Sequence, residues 1–353
     1  MPISVPIAKP IIEEEEKAAV VAVLESGNII QGAKVEEFEE NFAQYIGARY
    51  AVAVSSGTAA LHLALMAHGV DSATQVVTTP FSFISTANAI LHCGAQVAFG
   101  DIDPVSFNLN PKTLDGKLNS FTRAILPVHL YGNPANMDAF KEIADRHGMA
   151  LIEDACQAHG AMWRDRKIGS MNTTCFSFYP SKNMTTAEGG MVTTNDSSIA
   201  WNVRNLRQHG ISRGKVGFNY RMTDIQAAMG IEQLKKLDSF NAARRKNAEL
   251  LTAGLQDIVR CPVEAEGTTH CWHQYTIYLT HRRQTVLKAL REAGIDARVY
   301  YEKPINLQSP FGGKESCPIA ERAAKHVISL PVHPSVTEED IAKMVEVITC
   351  ALA

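Results

Sequence analysis

A carboxylate, a hydroxyl and a lysine lie close together in the sequence between residues 149 and 195. Asp154 ends the apolar run MALIED, and Lys182 follows 28 positions later in the polar turn SKNMTTAEGG. Ser177 lies five residues before that lysine, within a second apolar run. A lysine amine can form a Schiff base, an acid can keep a pyridine nitrogen protonated, and a hydroxyl can bind phosphate. These residue types are the ones needed to hold pyridoxal phosphate.

Each of these residues also has an ordinary explanation when it is taken alone. A carboxylate after a strand can cap a helix, and most lysines are solvated surface residues. Lys182 differs because it lies in a glycine-bearing turn between two strand-like runs. A lysine in a partly closed site can lose its proton and act as a nucleophile and base, so Lys182 and Asp154 are interpreted as a functional pair. Glu153 is expected to face the opposite side of its strand.

The segment SSGTAALHLAL at 55–65 is a candidate phosphate site. It reads as a strand exit, a glycine turn and a strong helix that begins near Gly57 and Thr58. The first amides of a helix bind anions, although an ordinary helix cap explains the same pattern. Neither GxGxxG nor GxxxxGK[ST] occurs, so dinucleotide and Walker-type sites are excluded.

Two phenylalanines and a glutamine could contact a planar ring held above the sheet. Phe81 and Phe83 follow the run QVVTT, and Gln157 lies three residues after Asp154. Aromatic residues at such positions are usually core residues, but one of the two could stack on the ring. Gln157 could donate to a ring hydroxyl. Because HExxH and close-set Cys/His ligands are absent, no metal site is predicted.

The chemistry-bearing residues are embedded in an alternation of apolar runs and helical patterns. The predicted strands are 51–54, 75–79, 96–100, 123–128, 149–154, 174–178 and 190–194, and the predicted helices between them are 58–67, 85–92, 111–118 and 137–147. Continuous apolar runs separated by helices are typical of a mostly parallel sheet that is flanked by helices. The fold class predicted is therefore α/β.

The length of 353 residues exceeds what one hydrophobic core usually supports, roughly 250–300 residues. A long amphipathic helix is predicted to begin near Met222, and a smaller α+β pattern follows residue 260. This pattern is a strand at 274–280 and helices at 285–293, at 319–327 and from 338. We therefore expect a large domain at 1–240, whose N-terminal segment is free to pack on a small C-terminal domain at 241–353. The EEEE of 13–16 is expected to begin a solvated helix.

Bulk composition excludes several classes of partner. The net charge is −3 and no basic block occurs, which argues against nucleic acid or anionic membrane as a partner. The N-terminus does not read as a secretory signal, and no apolar run approaches the ~20 residues of a membrane span. Seven cysteines occur without a CxxC pair, as expected for reduced thiols in the cytoplasm.

Taken together, these motifs resemble the DegT/DnrJ/EryC1/StrS family of sugar aminotransferases, within the fold type I pyridoxal-phosphate enzymes. The resemblance covers almost the whole chain. It is carried by residues 26–65, DIDP at 101–104, PVHLYGNPANMDAF at 127–140, IEDACQAHGA at 152–161, FSFYPSKNMTTAEGG at 176–190, GFNYRMTDIQAA at 217–228 and LPVHPSVTEEDI at 330–341. It implies a fold type I architecture, with a large cofactor-binding domain and a smaller C-terminal α+β domain.

The resemblance also implies a role for each candidate residue. Lys182 is the Schiff-base lysine. The ring ligands are Asp154 at the pyridine nitrogen, Phe83 rather than Phe81 on the ring face, and Gln157 at the ring hydroxyl. The phosphate ligands are Gly57, Thr58, Ala59 and Ser177. Asn219 of the GxNxR motif is expected to reach the phosphate of the neighbouring subunit. A homodimer with shared active sites follows from that role.

The activity implied is transfer of an amino group from an amino acid, expected to be L-glutamate, to a nucleotide-linked keto-sugar in amino-sugar biosynthesis. The cofactor would pass through its pyridoxamine form. Relatives with histidine in place of the lysine are dehydratases, so Lys182 favours transamination. A cyclitol ketone or aminated aromatic precursor as acceptor, and a non-catalytic regulatory protein of the same fold, remain alternatives.

Two segments depart from the family pattern. The linker ISRGKV at 211–216 is shorter than in many relatives, and Asn306 stands where histidine is common. Both lie where the family meets its sugar nucleotide. The nucleotide, the sugar and the aminated carbon, C-3 or C-4, therefore stay open.

Overall fold

The computed structural model describes residues 3–214, 216–313 and 315–353. The helices are α1 (Glu14–Ser26), α2 (Ala33–Ile46), α3 (Gly57–Ala67), α4 (Ser85–His92), α5 (Met137–His147), α6 (Ser197–Arg207), α7 (Asp224–Leu255), α8 (Arg283–Glu292), α9 (Pro318–His326) and α10 (Glu338–Leu352). The strands are β1 (Tyr50–Val54), β2 (Gln75–Thr78), β3 (Gln96–Phe99), β4 (Thr122–Leu126), β5 (Ala150–Asp154), β6 (Met162–Trp163), β7 (Arg166–Lys167), β8 (Thr173–Ser177), β9 (Gly190–Thr194), β10 (Thr268–Thr269), β11 (Tyr275–Tyr278) and β12 (Val327–Leu330). Over these residues, no helix is long and apolar enough to cross a membrane.

Seven strands form the central sheet, in the order β1-β9-β8-β5-β4-β2-β3. Adjacent strands from β3 through β8 are parallel, whereas β9 is antiparallel to both of its neighbours. Hydrophobic clusters cover both faces of the sheet, which is why its strands read as continuous apolar runs. The predicted α/β class with a mostly parallel sheet is confirmed.

The sheet topology brings the predicted site segments to one edge. β5 ends at Asp154, β8 ends at Ser177 and β1 ends at Val54, just before the turn into α3. Because these three strands point the same way, their carboxyl ends meet. β9 runs in the opposite direction, so its first residue, Gly190, lies at the same edge beside Val54 and Ser177.

The C-terminal part of the chain has its own hydrophobic cluster, built around β11, β12 and helices α8 and α10. The end of α7 and Val5 from the N-terminal segment contribute to the same cluster. A further cluster joins Phe81 and Tyr131 to Tyr301 and Ile305, so the C-terminal segment packs directly against the carboxyl edge of the main sheet.

Two local predictions were wrong. The helix expected at 111–118 is a single 3₁₀ turn, Pro111–Thr113, because Gly116 adopts φ of 77°, which a right-handed helix cannot contain. The helix that begins at Glu14 is not solvated throughout. Glu16 is 1% exposed because it accepts a hydrogen bond from Gln233 and pairs with Lys236. The sequence analysis also missed α2, α6 and β12.

Candidate active site

Asp154 is held at the end of β5 by two donors. The Thr86 hydroxyl donates to Oδ2 at 2.8 Å, and the backbone N–H of Cys156 donates to Oδ1 at 3.1 Å. Asp154 is only 3% exposed. Glu153 bonds instead to His129 and Asn172, so the two carboxylates serve opposite sides of the strand as predicted.

Lys182 lies in the turn between β8 and β9, and its backbone N–H donates to the carbonyl of Tyr179. Throughout the described ranges, its amine has no carboxylate within ion-pair distance. Burial lowers the pKa of the Lys182 ammonium, and the nearby Cys156 and Asp154 oppose that shift. A lowered pKa raises the fraction of neutral amine, which is the nucleophilic form.

The start of α3 packs directly against Ser177. A Cβ atom added to Gly57 would lie 2.6 Å from Ser177 Cβ and 3.0 Å from Cys156 Sγ, so only glycine permits this close approach. The Ser56 hydroxyl caps the helix by accepting the N–H of Ala59 at 3.1 Å. The amides of Gly57 and Thr58 lie in the first helical turn, where no earlier carbonyl can accept them. They are therefore better placed than the Ala59 amide to meet an anion.

The Gln157 side chain makes two hydrogen bonds, one with a backbone group and one with a side chain. Its Oε1 accepts the N–H of Tyr131 at 2.8 Å, and its Nε2 donates to the Tyr301 hydroxyl at 2.9 Å. Sequence reasoning missed Tyr301, which is 144 residues from Gln157. The dipeptide Tyr300-Tyr301 carries no local pattern that indicates this contact.

The two candidate phenylalanines have different surroundings. Phe81 is fully buried and packs against Phe107 and Tyr301, whereas Phe83 is 62% exposed beside the carboxyl edge of the sheet. Only Phe83 therefore has a ring face free to stack on a bound molecule. This arrangement agrees with the preference for Phe83.

His159 and His273 lie close enough to Lys182 for its charge to lower the pKa of each, and sequence reasoning missed this convergence. His273 Nδ1 lies 3.2 Å from Asn183 Oδ1, and Arg244 donates to the carbonyl of His273. Burial lowers the pKa of His159 to about 3 and that of Arg244 to about 10, and the charge of Lys182 also lowers the pKa of His159. Lys182 therefore lies among side chains for which burial disfavours the charged form.

The two departures from the family pattern have different outcomes. Asn306 is wholly buried, and its Nδ2 donates to the Glu315 carbonyl at 2.9 Å and to the Glu321 carboxylate at 3.2 Å. Its Nδ2 therefore ties together the loop that leads to α9. The linker at 211–216 contains one 3₁₀ turn, Ile211–Arg213, and Lys215 lies outside the described residues.

The remaining predicted residue, Asn219, lies in an exposed segment that follows this linker. Gln208 and Asn219 form an isolated antiparallel bridge, and the carbonyl of Tyr220 accepts the N–H of Ser55. The segment thus borders the turn into α3, while the Asn219 side chain points to the surface.

Comparison with known proteins identifies the family. The model of the DegT/DnrJ/EryC1/StrS aminotransferase family matches residues 10–349. The chain belongs to this family. The resemblance predicted from the motifs is confirmed, and so is the expected enzyme class, an aminotransferase.

Three relatives show how closely the chain follows other family members. It is 40% identical to a pleiotropic regulatory protein from Geobacillus stearothermophilus, over 92% of this chain and 91% of that protein. It is 37% identical to the dTDP-3-amino-3,4,6-trideoxy-alpha-D-glucose transaminase of Streptomyces venezuelae, over 96% of this chain and 92% of the relative. The crystal structure of S. venezuelae DesV in complex with a ketimine intermediate superposes with a TM-score of 0.93 at 36% identity, covering 96% of this chain and 95% of DesV.

Proposed function

We propose that this chain is a pyridoxal-phosphate-dependent aminotransferase that moves an amino group from L-glutamate to a nucleotide-linked keto-sugar. The proposal rests on Lys182 and Asp154, which lie near each other at one edge of the sheet. Asp154 is a buried carboxylate, and Lys182 has no ion-pair partner among the described residues. The alternative of a regulatory protein does not need a lysine whose pKa is lowered by burial. The intact pair therefore favours an enzyme.

The residues at this edge fit the cofactor. Its phosphate would meet the first amides of α3, where Gly57 leaves room for Ser177, and its pyridine nitrogen would meet Asp154. Phe83 offers an exposed ring for stacking. Bound pyridoxal phosphate supplies an aldehyde that condenses with amines and a protonated ring that accepts electrons.

The protein's own groups then have distinct tasks. Lys182 holds the cofactor until the donor amine displaces it, and its freed Nζ accepts the proton of the donor's α-carbon. Asp154 would pair with the ring nitrogen, and Thr86 and the Cys156 amide hold it in place by donating to its two oxygens. The pyridoxamine form of the cofactor would supply the amino group that the acceptor ketone receives.

The sugar-nucleotide acceptor is supported by the relatives. The Streptomyces venezuelae transaminase is named for a dTDP-linked amino sugar. A cyclitol ketone or an aromatic precursor would need the same cofactor residues, so the acceptor is tested separately from the cofactor.

We place the reaction in the cytoplasm, since all seven cysteines are free thiols, as a reducing compartment requires.

We also propose a homodimer in which Asn219 completes the phosphate site of the partner subunit. Ile211 and Val216, in the linker that precedes the Asn219 segment, are 74% and 83% exposed, and Ile30 beside the start of α7 is 73% exposed. Exposed apolar side chains near a polar site are typical of an interface. A second copy of the chain would cover them.

A division into domains at 1–240 and 241–353 is part of the proposal. The separate C-terminal hydrophobic cluster supports it, and Val5 in that cluster supports the packing of the N-terminal segment on the small domain. Because α7 runs from Asp224 to Leu255, the boundary lies within a helix. Limited proteolysis tests the division, and equal rates of cleavage before and after α7 would contradict it.

Absorption spectroscopy tests the enzyme. Protein reconstituted with pyridoxal phosphate should show a visible band that L-glutamate bleaches, and Lys182→Ala should lack it while the exposed control Lys325→Ala keeps it. A colourless wild-type protein would refute the cofactor assignment. Product masses from a screen of keto-sugar nucleotides, with a cyclitol ketone as comparison, then identify the acceptor.

Subunit complementation tests the shared site. Lys182→Ala and Asn219→Ala subunits should each be inactive or weak, whereas a mixture contains heterodimers with one intact site. About one quarter of wild-type activity is expected at equal mixing if subunits exchange freely. No recovery, with heterodimers confirmed by mass, would place Asn219 in its own subunit's site or outside any site.

A further inference from the structure

Tyr301 reaches the candidate cofactor site from the C-terminal segment. Its side chain is 7% exposed, it stacks on Tyr131 with ring centroids 5.9 Å apart, and it meets Phe81 edge-on at 5.4 Å. These contacts fix the ring, and therefore the position of its hydroxyl. The hydroxyl lies 2.9 Å from Gln157 Nε2, which donates to it.

Among the described residues, the hydrogen bonds of Gln157 leave one of its donors unused. A glutamine amide has two N–H donors and one carbonyl acceptor. Gln157 Oε1 is occupied by the backbone N–H of Tyr131 at 2.8 Å, and a backbone N–H can only donate, so the amide cannot flip without losing this bond. One N–H is occupied by Tyr301. The second N–H is available to a bound molecule.

We infer that Tyr301 is a positioning residue that orients the Gln157 amide so that its second N–H meets the ring hydroxyl of the cofactor. The inference rests on the proposed function, because it takes the cofactor to bind beside Asp154. Gln157 belongs to the segment that follows β5, whereas Tyr301 lies beyond α8. The docking of the C-terminal segment on the main sheet would thus be coupled to the cofactor through one hydrogen bond.

The ionisable surroundings keep Tyr301 neutral. Asp154 and Cys156 face it from the end of β5, and Tyr300 is its neighbour on the same segment. Burial, together with these acidic groups, raises the pKa of the Tyr301 hydroxyl above its ordinary value, although the Gln157 bond lowers it. A protonated tyrosine accepts one N–H from Gln157 throughout the working range of pH.

Tyr301→Phe tests this role, because it removes the hydroxyl and keeps the buried ring. The dissociation constant of pyridoxal phosphate should rise about threefold to tenfold, as expected for loss of one hydrogen bond. The ratio of the cofactor's absorption bands at fixed pH should also change. The control is Tyr300→Phe, the adjacent tyrosine, which should leave both measurements at their wild-type values.

A double-mutant cycle with Gln157→Met decides whether the effect passes through Gln157. Gln157→Met alone should reproduce the spectral change, and adding Tyr301→Phe should change nothing further. Wild-type behaviour of Tyr301→Phe, or a full additional effect in the Gln157→Met background, would overturn the inference. A wild-type protein without any cofactor band would instead refute the proposed function, so the two failures are distinguishable.

Discussion

The two faces of strand β5 carry adjacent carboxylates, Glu153 and Asp154, in different surroundings. Glu153 is fully buried, and its two oxygens accept hydrogen bonds from Asn172 at 2.7 Å and His129 at 2.9 Å. His129 in turn accepts the N–H of Ala135 through Nδ1, so its Nε2 carries the proton that Glu153 receives. Glu153 and His129 are both fully buried, and Asn172 covers the other oxygen of the carboxylate. This network stabilises the fold below the sheet edge.

Asp154 on the other face is also held by two donors, yet it lies beside Lys182 at the open edge of the sheet. A carboxylate offers about four acceptor positions, so Asp154 retains capacity for a further donor. The comparison shows that burial of an acid does not reveal its role. Each acid accepts two hydrogen bonds, so its role depends on what lies next to it: His129 and Asn172 for Glu153, and Lys182 for Asp154.

Asp154→Asn should have the largest effect on catalysis. The change keeps the shape and the bond from Thr86 but removes the negative charge that pairs with the ring nitrogen. We expect turnover to fall about 10²- to 10³-fold, the usual effect of removing one aligned electrostatic group. Stability should change little. Steady-state kinetics and urea denaturation measure the two quantities, and near-normal turnover would remove Asp154 from the proposed site.

Glu153→Ala should show the opposite behaviour. It leaves His129 and Asn172 buried without their acceptor, which should lower the free energy of unfolding by about 3 kcal/mol. Turnover of the folded fraction should stay within about threefold of wild type. Urea denaturation of the cofactor-free protein measures the loss, with Asp154→Asn as the matched variant on the same strand. Equal losses of stability in both variants would contradict the different roles of the two faces.

Thr86→Val should have a smaller effect on the Asp154 face. The isosteric change removes the hydroxyl that donates to Asp154 Oδ2 at 2.8 Å, and a hydrogen bond to a charged group contributes about 1.5–3 kcal/mol. We expect turnover to fall about tenfold. Ser82→Ala is the control, because Ser82 bonds to Thr86 but not to Asp154. An effect of Ser82→Ala as large as that of Thr86→Val would indicate general loosening.

His159→Phe should have the smallest effect, and it appears only in acid. Within the part of the chain that the structure describes, both ring nitrogens of His159 lack a hydrogen-bond partner. The pKa of folded His159 is lowered to about 3, whereas an unfolded histidine titrates near ~6.5. Protonation therefore favours the unfolded state as the pH falls from about 6.5 towards 3, and His159 then destabilises the fold.

The measurement is the urea midpoint at a series of pH values. His159→Phe should match wild type above about pH 7 and lose less stability than wild type between pH 6 and 4. Parallel pH profiles of the two proteins would contradict a neutral, buried His159. Its contacts with Phe176 and Phe178, at ring distances of 5.4 and 5.7 Å, suit a phenylalanine in its place.

Much of this site was predictable because strand direction and residue type are local properties. Asp154, Ser177 and Gly57 follow apolar runs, and parallel strands must bring their carboxyl ends to one edge. The predicted helix at 111–118 failed for an equally local reason, the left-handed conformation of Gly116.

The partners of these residues were not predictable from local pattern. Tyr301 meets Gln157 across 144 positions, and Arg244 meets the carbonyl of His273 across 29. Such contacts depend on how whole segments pack, and no periodicity or motif specifies them. Asn306 is a further case, since its hydrogen bonds to the Glu315 carbonyl and the Glu321 carboxylate could not be read from the sequence.

Composition and spacing alone thus determined the α/β class and predicted the sheet edge, the lysine and the acid of the proposed cofactor site. Tertiary packing decided which polar atoms remain available to a ligand. It enclosed Glu153 between His129 and Asn172, placed Asp154 beside Lys182, and fixed the Gln157 amide through Tyr131 and Tyr301. The physical reason is that a buried polar atom finds its hydrogen-bond partners among its neighbours in space, and these come from segments far apart in the chain.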